Sequence, residues 1–275
     1  MRDFRNLKLP PLPGTEQESK ALAAQASRWN WEAVVHLGPD ATEAALQAVE
    51  SPYILHLATH GFFLPEEKPK EHSPFEEFGQ FASLRGVGGI RPSTAAGSAT
   101  TGGMETMTLN PFQPRFVLKN PMQRSGLALA GAMTTLAAWQ RGETPDAAND
   151  GIVTAAEVGT LKLEGTWLVV LSACDTGSGE ARTGEGVLGL RRGFIMAGAQ
   201  NLLMTLWPVA DEETAKFMAA FYEAAHQTGN APQALADVQR DWLVRLRQER
   251  GLSAAIRLAG PFILSSQGTD QAMVP

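Results

Sequence analysis

Nearly continuous apolar runs alternate with helix-like stretches along the chain. Residues 53–59 (YILHLAT), 167–173 (WLVVLSA) and 201–206 (NLLMTL) are three such runs, and runs of this kind are typical of strands buried on both faces of a parallel sheet. The stretches between them place apolar residues at helical spacing. Strands separated by helices predict an α/β fold in which a mostly parallel sheet carries helices on both faces.

The same pattern predicts further elements. Thr42 is placed to cap a helix, and the spacing of Thr154 and Glu157 is that of a capping box, in which each side chain bonds the backbone N–H of the other residue. The remaining predicted elements are helices at residues 16–29, 187–197 and 231–248, a helix that begins at Asp211, and strands at residues 34–37 and 126–130.

The character of the chain changes over residues 64–119. The segment first reads PEEKPKEHSPFEEF, charged and broken by proline, and later VGGIRPSTAAGSATTGG, small and polar. Such a composition buries too little apolar surface to offset the entropy of ordering. The sequence therefore predicts one domain over residues 1–275 with a long flexible insertion at residues 64–119. Its acidic residues 66–77 are interpreted as a solvated loop, with calcium binding as the alternative.

Composition and charge limit the classes of partner. Apolar residues make up 44% of the sequence and charged residues 19%, as expected of a folded domain with an ordinary core and surface. The 23 Lys and Arg residues against 29 Asp and Glu residues give a formal net charge of −6, and no dense basic stripe is present. Because nucleic-acid binding depends on such basic charge, we expect no direct nucleic-acid partner.

Cysteine content and apolar segments predict a cytoplasmic protein. The single cysteine, Cys174, cannot form an intrachain disulfide, which fits a reducing compartment. The longest mostly apolar stretch, residues 126–139, is shorter than the roughly 18 residues of a spanning helix. The first residues, MRDFRNLKLPPLPG, lack the apolar core of a secretory signal. An opening so poor in core-forming residues also suggests that the chain is part of a longer protein.

Two predicted strands are followed by residues that could carry chemistry. His60 and Gly61 follow the first apolar run, and Cys174 and Asp175 follow the second. Taken alone, Cys174 reads as a small buried apolar residue. Each pair, however, is expected to lie past its strand, where burial falls and backbone N–H groups are free. Since loops at the carboxyl ends of parallel strands converge, we expect His60 and Cys174 to form a base and nucleophile pair, with the N–H groups of Gly61 and Cys174 binding an oxyanion.

Metal and phosphate sites are less consistent with the sequence. His56 and His60 lie four residues apart on a predicted strand, which separates their Cα atoms by roughly 13 Å, too far for one metal ion. His56 is therefore interpreted as a hydrogen-bonded core residue or a residue that supports the site. The glycines between Gly177 and Gly189 lack the spacing and the lysine of a phosphate-binding loop. We expect no metal and no cofactor.

Several blocks of the chain resemble the CHAT domain, a caspase-like module often fused to tetratricopeptide repeats in bacteria. The resemblance covers residues 12–262, and the blocks, in order, are ILHLATHGFF, NPMQRSGLALAGA, DGIVTAAEV, LVVLSACDTGSGEARTGEGVLGLRRGFIMAGAQ, LMTLWPVADEET and FMAAFYEAA. CHAT domains are similar to caspases, separases and gingipains, which are cysteine proteases with an α/β core and a His-Cys dyad.

The resemblance assigns roles to individual residues. It implies that Cys174 is the nucleophile and His60 the general base, with Gly61 and Cys174 as oxyanion donors. It also implies that Trp207 flanks the substrate groove and that Asp211 binds a basic P1 side chain. Asp175, directly after the nucleophile, is the other candidate for that pocket, and the alternative role of Asp211 is to cap the helix that follows it.

The function that these observations predict is that of a bacterial cytoplasmic cysteine endopeptidase acting through an acyl-enzyme. A protein substrate would pair as a strand with the sheet edge near residues 203–209. A tetratricopeptide-repeat region or an activator protein is the expected regulatory partner, and no membrane is expected. The alternative is a catalytically silent caspase-like module that binds another protein.

Overall fold

Two sheets, one mostly parallel and one antiparallel, organise the part of the chain that the structure describes. Their strands, in chain order, are β1 (Ile54–Leu57), β2 (His60–Phe63), β3 (Ser125–Ala128), β4 (Ile152–Thr154), β5 (Leu168–Leu171), β6 (Asn201–Thr205) and β7 (Phe262–Ser266). The first sheet has the order β1-β5-β6-β7, with parallel pairing from β1 to β6 and antiparallel pairing of β7. The second has the order β2-β3-β4 and is antiparallel throughout.

These elements come from a computed structural model. It describes Leu9, Leu12 and residues 14–64, 120–145, 149–172, 183–207, 209 and 211–268. All of them belong to one unit, Met1–Glu66 together with Leu118–Pro275. The predicted insertion at residues 64–119, apart from Leu64 at its start, lies outside the described residues.

Helices connect and cover the strands. They are α1 (Gly14–Arg28), α2 (Glu43–Gln47), α3 (Pro121–Arg124), α4 (Ala132–Arg141), α5 (Ala155–Val158), α6 (Thr183–Met196), α7 (Asp211–Thr228), α8 (Ala231–Arg250) and α9 (Leu252–Ala259), with a short 3-10 turn at Gly38–Asp40. Thr42 accepts a hydrogen bond from the N–H of Ala45, and the capping box of Thr154 and Glu157 is present. Both caps are where the sequence places them. None of the described helices is both long enough and apolar enough to cross a membrane.

The mostly parallel sheet has a hydrophobic core on each face. One core packs residues from β1, β5 and β6 against α7, α8 and α9, and its largest fully buried members are Phe217, Phe221, Phe262, Leu168, Leu203 and Leu246. The other packs the opposite face against α2, α3, α5 and α6 and against the second sheet, with Phe194, Leu127, Leu163 and Leu202 fully buried. The predicted α/β fold, with a mostly parallel sheet and helices on both faces, is confirmed.

Two sequence predictions about strands are wrong. Residues 34–37 form no strand, and the side chains of Val34 and Val35 are 76% and 44% exposed. The run that was expected to end at Thr59 instead ends at Leu57, and the chain enters a second strand at His60. The apolar character of HGFF is explained by Phe62, which packs into a separate small core with Ala132 and Ile152.

Two glycines allow α6 to lie close to its neighbours. A Cβ atom on Gly189 would lie 2.1 Å from the Oγ atom of Ser125, and one on Gly193 would lie 2.5 Å from the carbonyl oxygen of Ala155. Both distances are far below van der Waals contact, so any larger side chain would force the backbones apart. The glycines therefore fix how α6 packs against β3 and α5.

Candidate functional site

The carboxyl ends of β1 and β5 lie side by side. Leu57 and Leu171 are register partners in the last position of these parallel strands, and the N–H of Ser172 donates a hydrogen bond of 3.2 Å to the carbonyl oxygen of Leu57. His60 comes three residues after Leu57, and Cys174 comes three residues after Leu171. Cys174 and its neighbour Asp175 lie outside the described residues, but the structure brings together the two chain positions from which the proposed dyad departs.

His60 is more buried than the sequence suggested. It was expected past the end of a strand, where burial falls, but its side chain is only 7% exposed. The reason is that His60 is the first residue of β2 and pairs with Ala128 of β3. The hydroxyl of Thr59 also donates a hydrogen bond to the carbonyl oxygen of Ala128, which holds the entry to β2 against β3.

The backbone of Gly61 faces away from β3. In an antiparallel pair, hydrogen-bonded and non-hydrogen-bonded residue pairs alternate. The N–H of Leu64 donates to the carbonyl oxygen of Arg124, so the alternation makes the pair of Gly61 and Leu127 a non-hydrogen-bonded one. Among the described strands, β2 has a neighbour on one side only, so the N–H of Gly61 points away from that neighbour, as an oxyanion donor would require.

Trp207 is held by the C-terminal part of α9. Its indole Nε1–H donates a hydrogen bond of 3.1 Å to the carbonyl oxygen of Arg257, and the preceding residue, Leu206, donates its N–H to the carbonyl oxygen of Pro261. The side chain of Trp207 is partly exposed. These contacts fix the orientation of Trp207, and its role beside a substrate groove, which the family resemblance implies, stays a prediction.

The predicted docking edge for a substrate strand at residues 203–209 is wrong over most of its length. β6 pairs with β5 on one side and with β7 on the other, so that Leu203 and Thr205 oppose Leu264 and Phe262. The pairing of β6 with β7 was not predicted because the sequence pattern gave no strand at residues 262–266. A substrate cannot pair with a strand whose hydrogen-bonding groups are already satisfied on both sides.

Asp211 lies at the first position of α7. Its side chain lies outside the described residues, and the choice between a pocket acid and a cap of this helix stays a prediction.

His56 contacts polar groups from two helices. Its Nδ1 lies 2.9 Å from the hydroxyl of Tyr222 in α7, and its Nε2 lies 3.3 Å from Oε1 of Glu18 in α1. The other oxygen of Glu18 accepts a hydrogen bond of 3.0 Å from the hydroxyl of Ser172. The interpretation of His56 as a hydrogen-bonded residue is confirmed, and its partners Glu18, Ser172 and Tyr222 were missed because sequences carry no signal for contacts between distant elements.

Burial changes the chemistry of this polar group. Desolvation, and then the nearby charge of Glu18, raise the pKa of the Tyr222 hydroxyl well above its usual value of 10.0. Tyr222 therefore remains a neutral donor or acceptor over the whole physiological range of pH. Among the described residues, no group of His, Cys, Asp and Glu side chains has an arrangement that could hold a metal ion.

A comparison with protein families decides which family the chain belongs to. The model of the CHAT domain matches residues 2–255, nearly the whole sequence. The chain is a member of the CHAT domain family. The CHAT family has a caspase-like fold, which agrees with the mostly parallel sheet and with the LATHG and LSACDTG blocks that begin at the last residues of β1 and β5.

Two curated relatives of this CHAT domain are mammalian. Tetratricopeptide repeat protein 28 of Mus musculus is 35% identical over 89 residues, and its counterpart in Homo sapiens is 36% identical over 89 residues. Each alignment covers 32% of this chain and 4% of the relative. The chain therefore spans only a small part of the length of these relatives.

Proposed function

We propose that this CHAT domain is a cysteine endopeptidase that cleaves a protein substrate through His60 and Cys174. The observation that carries the proposal is the register of β1 and β5, whose paired final residues Leu57 and Leu171 lead within three residues to the histidine and the cysteine. Parallel strands that end together bring their following loops to one place, which is where α/β proteins bind ligands.

The chemistry follows from the residue types. The Cys174 thiolate attacks the carbonyl carbon of the scissile peptide bond, and the N–H of Gly61, together with that of Cys174, binds the oxyanion that forms. His60 takes the thiol proton and donates it to the leaving amine, whose departure leaves a thioester. Water, with His60 as the base, then hydrolyses the thioester and restores the thiol.

Substrate preference and regulation are further parts of the proposal. Asp211 or Asp175 would recognise a basic P1 side chain through a charge-assisted hydrogen bond, with Trp207 beside the substrate. The names of the two relatives, which refer to tetratricopeptide repeats, support a repeat region or an activator protein as the regulatory partner. A bacterial cytoplasmic setting agrees with a reduced Cys174.

One observation favours the alternative of a non-catalytic interaction module. His60 is only 7% exposed, whereas a general base must come within hydrogen-bond distance of the proton that it takes. A CHAT domain whose histidine serves only the packing of β2 would bind a protein partner without cleaving it.

Thiol labelling distinguishes the two functions. Cys174 is the only cysteine in the sequence, so one mass shift after treatment with iodoacetamide or a peptidyl chloromethylketone reports on that residue alone. We expect the wild-type chain to react much faster with the peptidyl reagent than a free thiol does, and His60→Ala to remove that advantage. His36→Ala, which changes an exposed histidine, is the matched control and should react as the wild type does.

Slow labelling that does not depend on His60 would identify the non-catalytic module. If Cys174 of the wild type reacts no faster than a free thiol, and if His60→Ala leaves the rate unchanged, the chain is the interaction module. The labelling should be measured with and without any tetratricopeptide-repeat region encoded on the same polypeptide, so that a missing activator is not mistaken for a missing activity.

A further inference from the structure

A buried carboxylate contacts the point from which the Cys174 segment leaves the sheet. Glu18 of α1 is only 4% exposed, and its Oε2 accepts a hydrogen bond of 3.0 Å from the hydroxyl of Ser172. Ser172 is itself 5% exposed. Cys174 follows it by two residues, so the two Cα atoms are separated by at most about 7 Å.

The second oxygen of Glu18 is also engaged. It lies 3.3 Å from Nε2 of His56, within the distance of an ion pair. The two atoms are not aligned as in a hydrogen bond. A carboxylate can only accept. The arrangement that gives each group a partner therefore has Ser172 and His56 donating toward Glu18, while the Tyr222 hydroxyl donates to Nδ1 of His56. The Glu18 carboxylate therefore contacts both His56 of β1 and Ser172, which directly follows β5.

Other side chains in and next to α1 also attach this helix to the rest of the protein. Gln25 on the same helix donates a hydrogen bond of 3.1 Å to the carbonyl oxygen of Ala219 and one of 3.3 Å to Glu223, and Leu22 and Trp29 pack against the hydrophobic core. Burial of a carboxylate is unfavourable unless its partners compensate. A buried acid that accepts a hydrogen bond from Ser172 therefore points to a role in placing Ser172.

We propose that Glu18 is a positioning residue for the nucleophile. By holding the side chain of Ser172, it sets the position and direction in which the chain leaves β5 toward Cys174. The inference rests on the proposed cysteine-peptidase function, since the group that is positioned is the nucleophile of that reaction. A displacement of about 1 Å at a reacting atom can cost roughly 100-fold in rate, so a contact two residues away is close enough to matter.

The test compares two acids of the same helix. Glu18→Leu removes the carboxylate and fills its volume with an apolar side chain, whereas Glu16→Leu changes an acid that is 63% exposed and pairs with Lys20. Turnover of a peptide substrate and hydrogen exchange of the peptide covering residues 172–177 are measured on both variants. For Glu18→Leu, we expect kcat to fall by about 100-fold with KM nearly unchanged, and amide exchange at residues 172–177 to rise. Glu16→Leu should match the wild type in both.

A conservative replacement and a double mutant separate positioning from general support of the fold. In Glu18→Gln, the amide oxygen can still accept from Ser172. The amide N–H can donate to Nε2 of His56 once the imidazole proton moves to Nδ1 and is donated to the Tyr222 hydroxyl, so we expect most of kcat to return. Ser172→Ala, which removes only a hydroxyl, should reproduce the loss. The double variant Ser172→Ala with Glu18→Leu should lose little more than either single variant, because both changes break one contact.

The outcomes are separable from those of the proposed function. If the wild type neither cleaves peptides nor reacts rapidly at Cys174, the peptidase proposal fails, and the exchange measurement still decides whether Glu18 fixes the Ser172 segment. If Glu18→Leu leaves exchange at residues 172–177 and kcat unchanged, or if Glu18→Gln is as damaged as Glu18→Leu, the positioning role is overturned.

Discussion

The backbone N–H of Ser172 donates a hydrogen bond of 3.2 Å to the carbonyl oxygen of Leu57. This bond extends the parallel pairing of β1 and β5 by one residue, to the position where both chains leave the sheet. The segments that carry the proposed base and nucleophile therefore start from points that cannot move independently. We therefore expect His60 and Cys174 to act as one unit, so that removing either side chain has nearly the effect of removing both.

The first prediction concerns that unit. His60→Ala and Cys174→Ala should each lower turnover by about three orders of magnitude or more, and the double variant should lose little further, because the two side chains serve the same step. Initial rates on a peptide substrate, with His36→Ala as the control on an exposed histidine, measure the effect. Additive losses would contradict a cooperating pair.

The second prediction concerns His56. Its removal leaves the Tyr222 hydroxyl and one oxygen of Glu18 without a partner in a buried site, so His56→Ala should lower the free energy of unfolding by about 1–3 kcal/mol. Turnover per folded molecule should largely survive, because the contact between Ser172 and Glu18 remains. Urea denaturation and kinetics on the same preparation measure both quantities. A stable but inactive variant would show that His56, and not His60, is the base.

The third prediction concerns the pH dependence of stability. Burial, and then the charges of Glu157 and Asp150, raise the pKa of Glu43 above its usual value of 4.5. A raised pKa in the folded chain means that folding favours the protonated acid. The stabilisation is complete below the unfolded-state pKa and is lost as pH rises through the folded value. At neutral pH, the charge on Glu43 therefore opposes folding.

Glu43→Gln should accordingly raise the unfolding midpoint at pH 7, and this gain should shrink as the pH falls through the raised folded-state pKa and be lost below the usual value of 4.5. Thermal unfolding at a series of pH values gives the comparison. Glu32→Gln, on an exposed acid, is the control and should change the midpoint little at any pH. A gain for Glu43→Gln that persists unchanged in acid would mean that charge burial is not its cause.

Sequence patterns correctly predicted the structural features that depend only on residues close together in the chain. The capping box of Thr154 and Glu157 and the buried strand at β5 are such features, because caps and apolar runs follow from residues a few positions apart. The position of His60 was predicted less well. The run from residue 53 to residue 63 is almost continuously apolar, and its division between two sheets is set by pairing with β3, which lies more than 60 residues away.

The candidate site also contains residues that the sequence could identify and one that it could not. His60 and Cys174 could be chosen because each follows an apolar run in sequence. Glu18 could not, since an acid on an Ala-rich helix is ordinarily solvated, and only the packing of α1 against the ends of β1 and β5 buries it against Ser172 and His56. Contacts between distant elements leave no periodic trace in a single sequence.

The last prediction concerns specificity and the start of α7. Asp211 is the first residue of that helix, where a negative charge is worth about 0.3–1 kcal/mol to the helix. If Asp211 also binds a basic P1 side chain, Asp211→Asn should lower kcat/KM for substrates with Arg or Lys at P1 by about 10- to 100-fold, since a charge-assisted hydrogen bond is lost. Neutral substrates should be cleaved as before.

A neighbouring acid provides the matched control for Asp211. Glu212 is exposed and pairs with Lys216 over 2.7 Å on the same helix, so Glu212→Gln changes the same net charge without touching the proposed pocket. It should leave the preference for basic P1 residues unchanged. A peptide library in which the wild type prefers apolar P1 residues would remove the pocket role, and Asp211 would then serve only the helix terminus. A basic preference that survives Asp211→Asn would instead transfer the role to Asp175.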